Sequence, residues 1–146
     1  MPEPEIESYW GEEFPEVADS EPVALLKRQA ELLSAATAGK VGGVVEQSVN
    51  EGTAWASLYL AADWLGDYQY KLLYLAHPVV VPDPANPFPI TVGDSFGAEV
   101  KTLENMSEFD QWLKERLRSR QARAAVGAMM GPPRAAEAQA APREAG

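Results

Sequence analysis

The sequence predicts an α+β fold, an antiparallel β-meander of four to five strands with an N-terminal and a C-terminal helix. Three observations predict it. Residues 20–37 place apolar side chains at helical spacing, residues 40–77 alternate apolar and polar side chains between turn-forming residues, and residues 106–117 return to the helical period. Helices at the two ends of consecutive hairpin strands fit this class, whereas a parallel sheet needs helices between its strands.

The first helix starts at Asp19 or Ser20, either of which can cap it. Glu21 and Pro22 suit its first turn, and Gly39 stands at the left-handed position beyond its end. Val23, Leu25, Leu26, Ala30, Leu32, Leu33, Ala36 and Thr37 fall on one half of the cylinder, and that half requires a sheet to cover it.

The first strand is expected over 40–49, with Gly42 and Gly43 marking a bulge or a close packing point against the helix. Asn50-Glu51-Gly52 supplies hairpin chemistry. In the second strand, 53–62, Trp55, Ser57 and Tyr59 share one face while Ala56, Leu58 and Leu60 share the other. A turn from Asp63 through Trp64 to Asp67 precedes the third strand, 68–77. Strict alternation there puts Tyr68, Tyr70, Leu72, Tyr74 and Ala76 on one side and Gln69, Lys71, Leu73, Leu75 and His77 on the other. The face bearing Leu73 and Leu75 is expected against the helix, which leaves a tyrosine-rich face towards water or a partner.

Pro82, Pro84, Pro87 and Pro89 make 82–89 a stiff connection, because proline gives a ladder no donor. Two short strands, 90–92 and 99–103, flank Gly93-Asp94-Ser95-Phe96-Gly97. Ser107 is expected to cap the second helix, whose stripe is Met106, Phe109, Trp112, Leu113 and Leu117. Beyond Leu117 the stripe fades. The chain therefore divides into an acidic flexible arm at 1–19, a single α+β domain at 20–126 and a disordered Ala- and Pro-rich tail at 127–146.

Composition excludes several chemistries. There are no cysteines, so disulfides and thiolate catalysis are ruled out, and one histidine, His77, makes no His-rich metal site. A net charge of −10 disfavours nucleic-acid backbones. No apolar run approaches the roughly 18 residues that span a bilayer, and the opening segment lacks the pattern of a secretory signal, so a cytoplasmic location is expected. The charge is uneven: residues 1–21 hold eight acids and no base, while residues 114–146 hold three acids and seven bases. Lys114, Arg116, Arg118, Arg120 and Arg123 suit the end of a helix electrostatically and can also meet the acidic arm.

Gly93-Asp94-Ser95-Phe96-Gly97 matches the G-x-S-x-G pattern of a hydrolase nucleophile elbow, but that turn runs from strand to helix and needs a later histidine. Here a strand follows and no histidine does, so it reads as a hairpin turn. Asp63, Asp67, Asp83 and Asp94 sit in turns, where aspartate bonds its own backbone. If two of them converged they would offer a cation site or an acid/base pair.

Pro22-x-x-x-Leu26-x-x-Gln29-Ala30-x-x-Leu33-x-x-x-Thr37-x-Gly39, then Tyr68-x-Tyr70-x-Leu72-x-Tyr74-x-x-His77-Pro78, then a closing helix, together resemble short uncharacterised bacterial α+β proteins. The resemblance covers about residues 20–125 and implies no activity. The function expected from the residues is a non-enzymatic, small, acidic cytoplasmic protein-interaction module without a cofactor. Its contacts are expected from Tyr68, Tyr70, Tyr74 and Trp64 and from Trp10 of the arm, made to another protein or to a second copy, because aromatic anchors dominate such contacts. The alternatives are an immunity or antitoxin-like protein covering a basic partner site, and a small-ligand or divalent-metal-dependent enzyme using the turn aspartates.

Overall fold

Helix α1, Glu21–Ala36, begins where Ser20 accepts the Val23 N–H in its side chain, with Pro22 in the first turn. The Glu21 N–H donates to Ala85 O (2.9 Å) and ties the helix start to the proline-rich connection. The computed structural model describes residues 18–97 and 99–131, together with Tyr9. The helix exits through Ala38 and Gly39, both at positive φ. Thr37 fixes that exit: its hydroxyl donates to Val41 O (2.9 Å) and accepts the Val41 N–H (3.1 Å). Since Val41 is fully buried, its two backbone groups have no water to turn to. Thr37→Val keeps the side-chain shape and removes the hydroxyl. It is expected to cost about 1–3 kcal/mol of unfolding free energy, measured by urea denaturation.

Five strands follow in a single antiparallel meander, in the spatial order of the chain. They are β1 (Gly42–Asn50), β2 (Thr53–Ala61), β3 (Gln69–Pro78), β4 (Ile90–Asp94) and β5 (Lys101–Leu103). Asn50 pairs with Thr53 across a two-residue loop in which Glu51 and Gly52 both have positive φ, the conformation that matches the strand twist. Among the described residues two further helices follow, α2 (Met106–Leu117) and α3 (Arg120–Met129).

All three helices pack on one side of the sheet. Against α1 the sheet presents Gly43, where an added Cβ would lie 2.6 Å from the Ala30 Cβ; α2 and α3 add Phe109, Trp112, Leu113, Ala122 and Met129 to a core floored by Leu58, Leu60, Leu73, Leu75, Ile90 and Val92. The expected α+β meander with helices at both ends is the observed architecture.

Several local expectations are corrected. The cap of α2 is Asn105, not Ser107. Its Oδ1 accepts the Glu108 N–H (2.9 Å) while Glu108 Oε1 accepts the N–H of the preceding Glu104 (3.0 Å), and Ser107 is already the second residue of the helix. The C-terminal helical region is two helices, because Ser119 breaks and recaps the chain, accepting the Ala122 N–H (3.1 Å). Helix α3 runs to Met129, past the expected boundary at 126, and buries Met129. Leu32 and Ala36 are exposed on the rim of an apolar cleft of about 250 Å³ between α1 and α3.

The largest correction concerns β3. Leu58 pairs with Leu73 and Tyr59 with Lys71, so Leu72 is an extra residue, a bulge opposite β2. Alternation shifts there by one. Leu72 and Leu73 are both buried, and Tyr70, paired with Leu60, belongs to the helix-covered face and packs on the core. Tyr74 pairs with Ser57 and lies on the opposite face. The continuous tyrosine face expected from strict alternation therefore does not form. Trp112 is buried in the helical layer, stacked on Phe109 at 6.3 Å.

Candidate functional site

The bulge and the early end of β4 together open a cleft. Pairing of β3 with β4 stops at Leu73 and Asp94, so the stretch holding Tyr70 has β2 on one side and no strand on the other. The chain after β4 turns instead of continuing, held by Ser95 N–H to Leu72 O (3.0 Å), by the Ser95 hydroxyl on Lys71 O, and by Phe96 N–H to Asp94 Oδ1 (2.8 Å). This turn leaves Phe96 beside Tyr70 and Tyr68, and α3 supplies the facing wall with Gln121, Ala124, Ala125, Ala128 and Met129. The cleft measures about 410 Å³. Alanine is the best helix former and has the smallest side chain with a Cβ, so α3 stays helical while its wall stays low.

The far end of α3 is held by Trp64. Its indole N–H donates to Met129 O (2.7 Å), and its ring lies where a Cβ at Gly131 would approach to 3.0 Å. Gly131 has φ +81, so the turn leaving α3 passes under the indole.

Next to the cleft, sharing Phe96 and Gln121, is a pocket of about 280 Å³ bounded by Asp94, Arg116 and Ser119. The Asp94 side chain is 1% exposed and that of Arg116 20%. Arg116 Nε lies 2.9 Å from Asp94 Oδ2, off the hydrogen-bond direction, and the guanidinium covers the Trp112 ring at 5.5 Å. The two charges are thus committed to each other and to the fold.

The expected contact residues separate into two groups. Tyr68, Tyr70 and Trp64 gather around α3. Tyr74 is on the far face, 5.5 Å from Trp55, with Lys71 Nζ 5.1 Å above its ring. Its hydroxyl end covers Gly93, where an added Cβ would come within 2.5 Å. Trp10 lies outside the described residues, and its neighbour Tyr9 is 93% exposed. The sequence reading missed Phe96 and the α3 wall, although 121, 124, 125, 128 and 129 form a helical stripe that small alanines make hard to see as apolar.

Asp83 and Asp94 are each engaged by a local or tertiary partner. Asp83 Oδ1 accepts the Ala85 N–H (3.1 Å) in its own turn, Asp94 holds Arg116, and Asp63 opens a single 3₁₀ turn over Asp63–Leu65. Among the described residues no group of three or more His, Asp and Glu side chains is placed to hold a metal ion. Ser95 spends its proton on a backbone carbonyl. Among the described residues no helix is long and apolar enough to cross a membrane.

No protein-family model matches the chain, and neither a curated protein nor a solved structure matches it.

Proposed function

We propose that this chain is a non-enzymatic, acidic, cytoplasmic protein-interaction module whose docking surface is the cleft between α3 and the Tyr68–Tyr70–Phe96 floor. The observation that carries this reading is the cleft's construction. An aromatic floor faces a low alanine wall, open along its length, a shape that admits a protruding apolar or aromatic side chain of another polypeptide. Its rim offers the Tyr68 hydroxyl and the Gln121 amide, the mixture of apolar floor and polar edge found at interfaces. Tyr74 and Trp55 form a separate half-buried patch on the far face, which serves as an internal control.

The test is affinity purification from the native host followed by mass spectrometry, comparing the natural chain with Ala124→Trp and Tyr74→Phe. Ala124 is exposed, so an indole there fills the cleft without entering the core. About a tenfold loss of a specific partner is expected with Ala124→Trp, and none with Tyr74→Phe, while circular dichroism of both stays at the natural value. A partner retained by Ala124→Trp and also by Ala128→Trp would show that the cleft is not the docking surface.

A further inference from the structure

We propose that the cleft is occupied within the chain itself by the acidic-aromatic segment 1–17, through Trp10 and Phe14, so that this segment competes with a protein partner for one site. The inference rests on the cleft being a docking surface and adds the chemistry of what it takes: an aromatic side chain flanked by carboxylates.

Charge complementarity selects the segment. Residues 1–17 hold six acids, no base and three aromatic residues, Tyr9, Trp10 and Phe14. The remainder of the chain up to residue 113 is itself acidic; cations exceed acids only from Lys114 onward, from the last turn of α2 through α3. The described ion pairs join Lys27 to Asp19, Arg28 to Glu31 and Arg116 to Asp94. Arg118, Arg120 and Arg123 are exposed and enter none of these pairs. Arg120 directly precedes Gln121 on the cleft wall. Arg120 is the exposed cation next to the cleft wall, and an acidic segment approaching it within about 8–10 Å keeps its attraction in physiological salt.

The cleft then selects the anchor. Tyr68, Tyr70 and Phe96 offer ring faces and edges to an incoming ring, an interaction worth about 0.5–1.5 kcal/mol beyond its buried area. Trp10 and Phe14 are the two aromatic side chains of the segment without a hydroxyl on the ring, and they supply the apolar anchors of the proposal. Reach is not limiting. The described chain resumes at Ala18, just ahead of α1, and 17 residues extend up to about 60 Å, more than the width of a domain this size. A tethered segment works at an effective concentration of order millimolar, so a modest affinity suffices to fill the cleft.

The test uses the full chain. Because it has no cysteine, one engineered cysteine carries one nitroxide. Gly127→Cys places the label on the exposed crest of α3, where nothing crowds an added Cβ; Glu46→Cys places it on the exposed part of β1 as a distant control. In ¹⁵N-labelled protein, amide signals of residues 8–16 are expected to be lost with the label at 127 and kept with the label at 46. The loss persists when labelled chains are diluted in excess unlabelled protein, and it is relieved by Trp10→Ala combined with Phe14→Ala, or by Arg120→Glu combined with Arg123→Glu. Signals kept with the label at 127 overturn the proposal. So do signals that return on dilution, which place the segment in a second copy, and signals lost equally from position 46. Partner capture by the Ala124→Trp chain separates the two readings: if that variant still loses the partner while the segment signals are unaffected, the cleft stands and the segment is not its occupant.

Discussion

Gly43→Ala is expected to lower the unfolding midpoint by roughly 10–20 °C, the effect of about 2–3 kcal/mol on a domain of this size. The added Cβ would lie 2.6 Å from the Ala30 Cβ and 2.7 Å from the Ala30 Cα, with Leu58 at 3.3 Å. Two of these are atoms of the helix at its closest approach to the sheet, so no side-chain rotation relieves the clash and α1 has to lift. Lifting α1 loosens Leu26 and Val23 as well, both buried on the same side of the helix. Alanine's smaller backbone entropy loss relative to glycine returns only about 0.5–1 kcal/mol. Adding Ala30→Gly removes the methyl group that the new side chain would strike but leaves the helix backbone just as near, so it rescues only part of the loss. A midpoint for Gly43→Ala within two degrees of the natural chain by calorimetry, about the smallest shift a fraction of a kcal/mol produces, would refute this packing.

The second large effect is expected at Asp94 and Arg116. Asp94→Asn keeps an acceptor for the Phe96 N–H but removes the charge facing Arg116. Breaking a buried pair from one side costs about 3–5 kcal/mol, and the partial exposure of Arg116 places this variant at the lower end. Arg116→Met is expected to cost more. The Asp94 carboxylate is 1% exposed on a short side chain, whereas a guanidinium on a long stem can turn to water. The double variant is expected to recover much of the loss, because it leaves no uncompensated buried charge. Urea unfolding of the four proteins gives the coupling energy directly, and additive losses would show that the two charges do not interact.

The order of elements was legible because it is written locally. Helical spacing before residue 37, Asn50-Glu51-Gly52, and the turn around Asp63–Leu65 each act over a few residues, and the structure places a helix, a two-residue hairpin and a 3₁₀ turn there. Which face each side chain joins was not legible in β3. Leu72 and Leu73 both demand the core, and a strand can bury two consecutive residues only by breaking its alternation. The doublet was the available signal, and strict alternation overrode it. Helix α3 was missed for the opposite reason. Its alanines give a weak apolar stripe, and what anchors it, Met129 in the core and the Trp64 indole on the Met129 carbonyl, comes from residues 65 positions apart. As for the site, Tyr68, Tyr70 and Trp64 were found as aromatics, but their common neighbourhood is tertiary and includes Phe96 from a turn read only as a connection.

The bulge at Leu72 divides the sheet into two panels that answer to different demands. On the side where β3 lies between β2 and β4, Leu73 and Leu75 are flanked by strands and roofed by helix, so their tolerance to change is that of a core. On the other side, from Gln69 to Lys71, the strand has one neighbouring strand, and Tyr70 is judged by the groove it shapes. A single strand thus carries both a part held by the core and a part that shapes an open groove, with one extra leucine as the border between them.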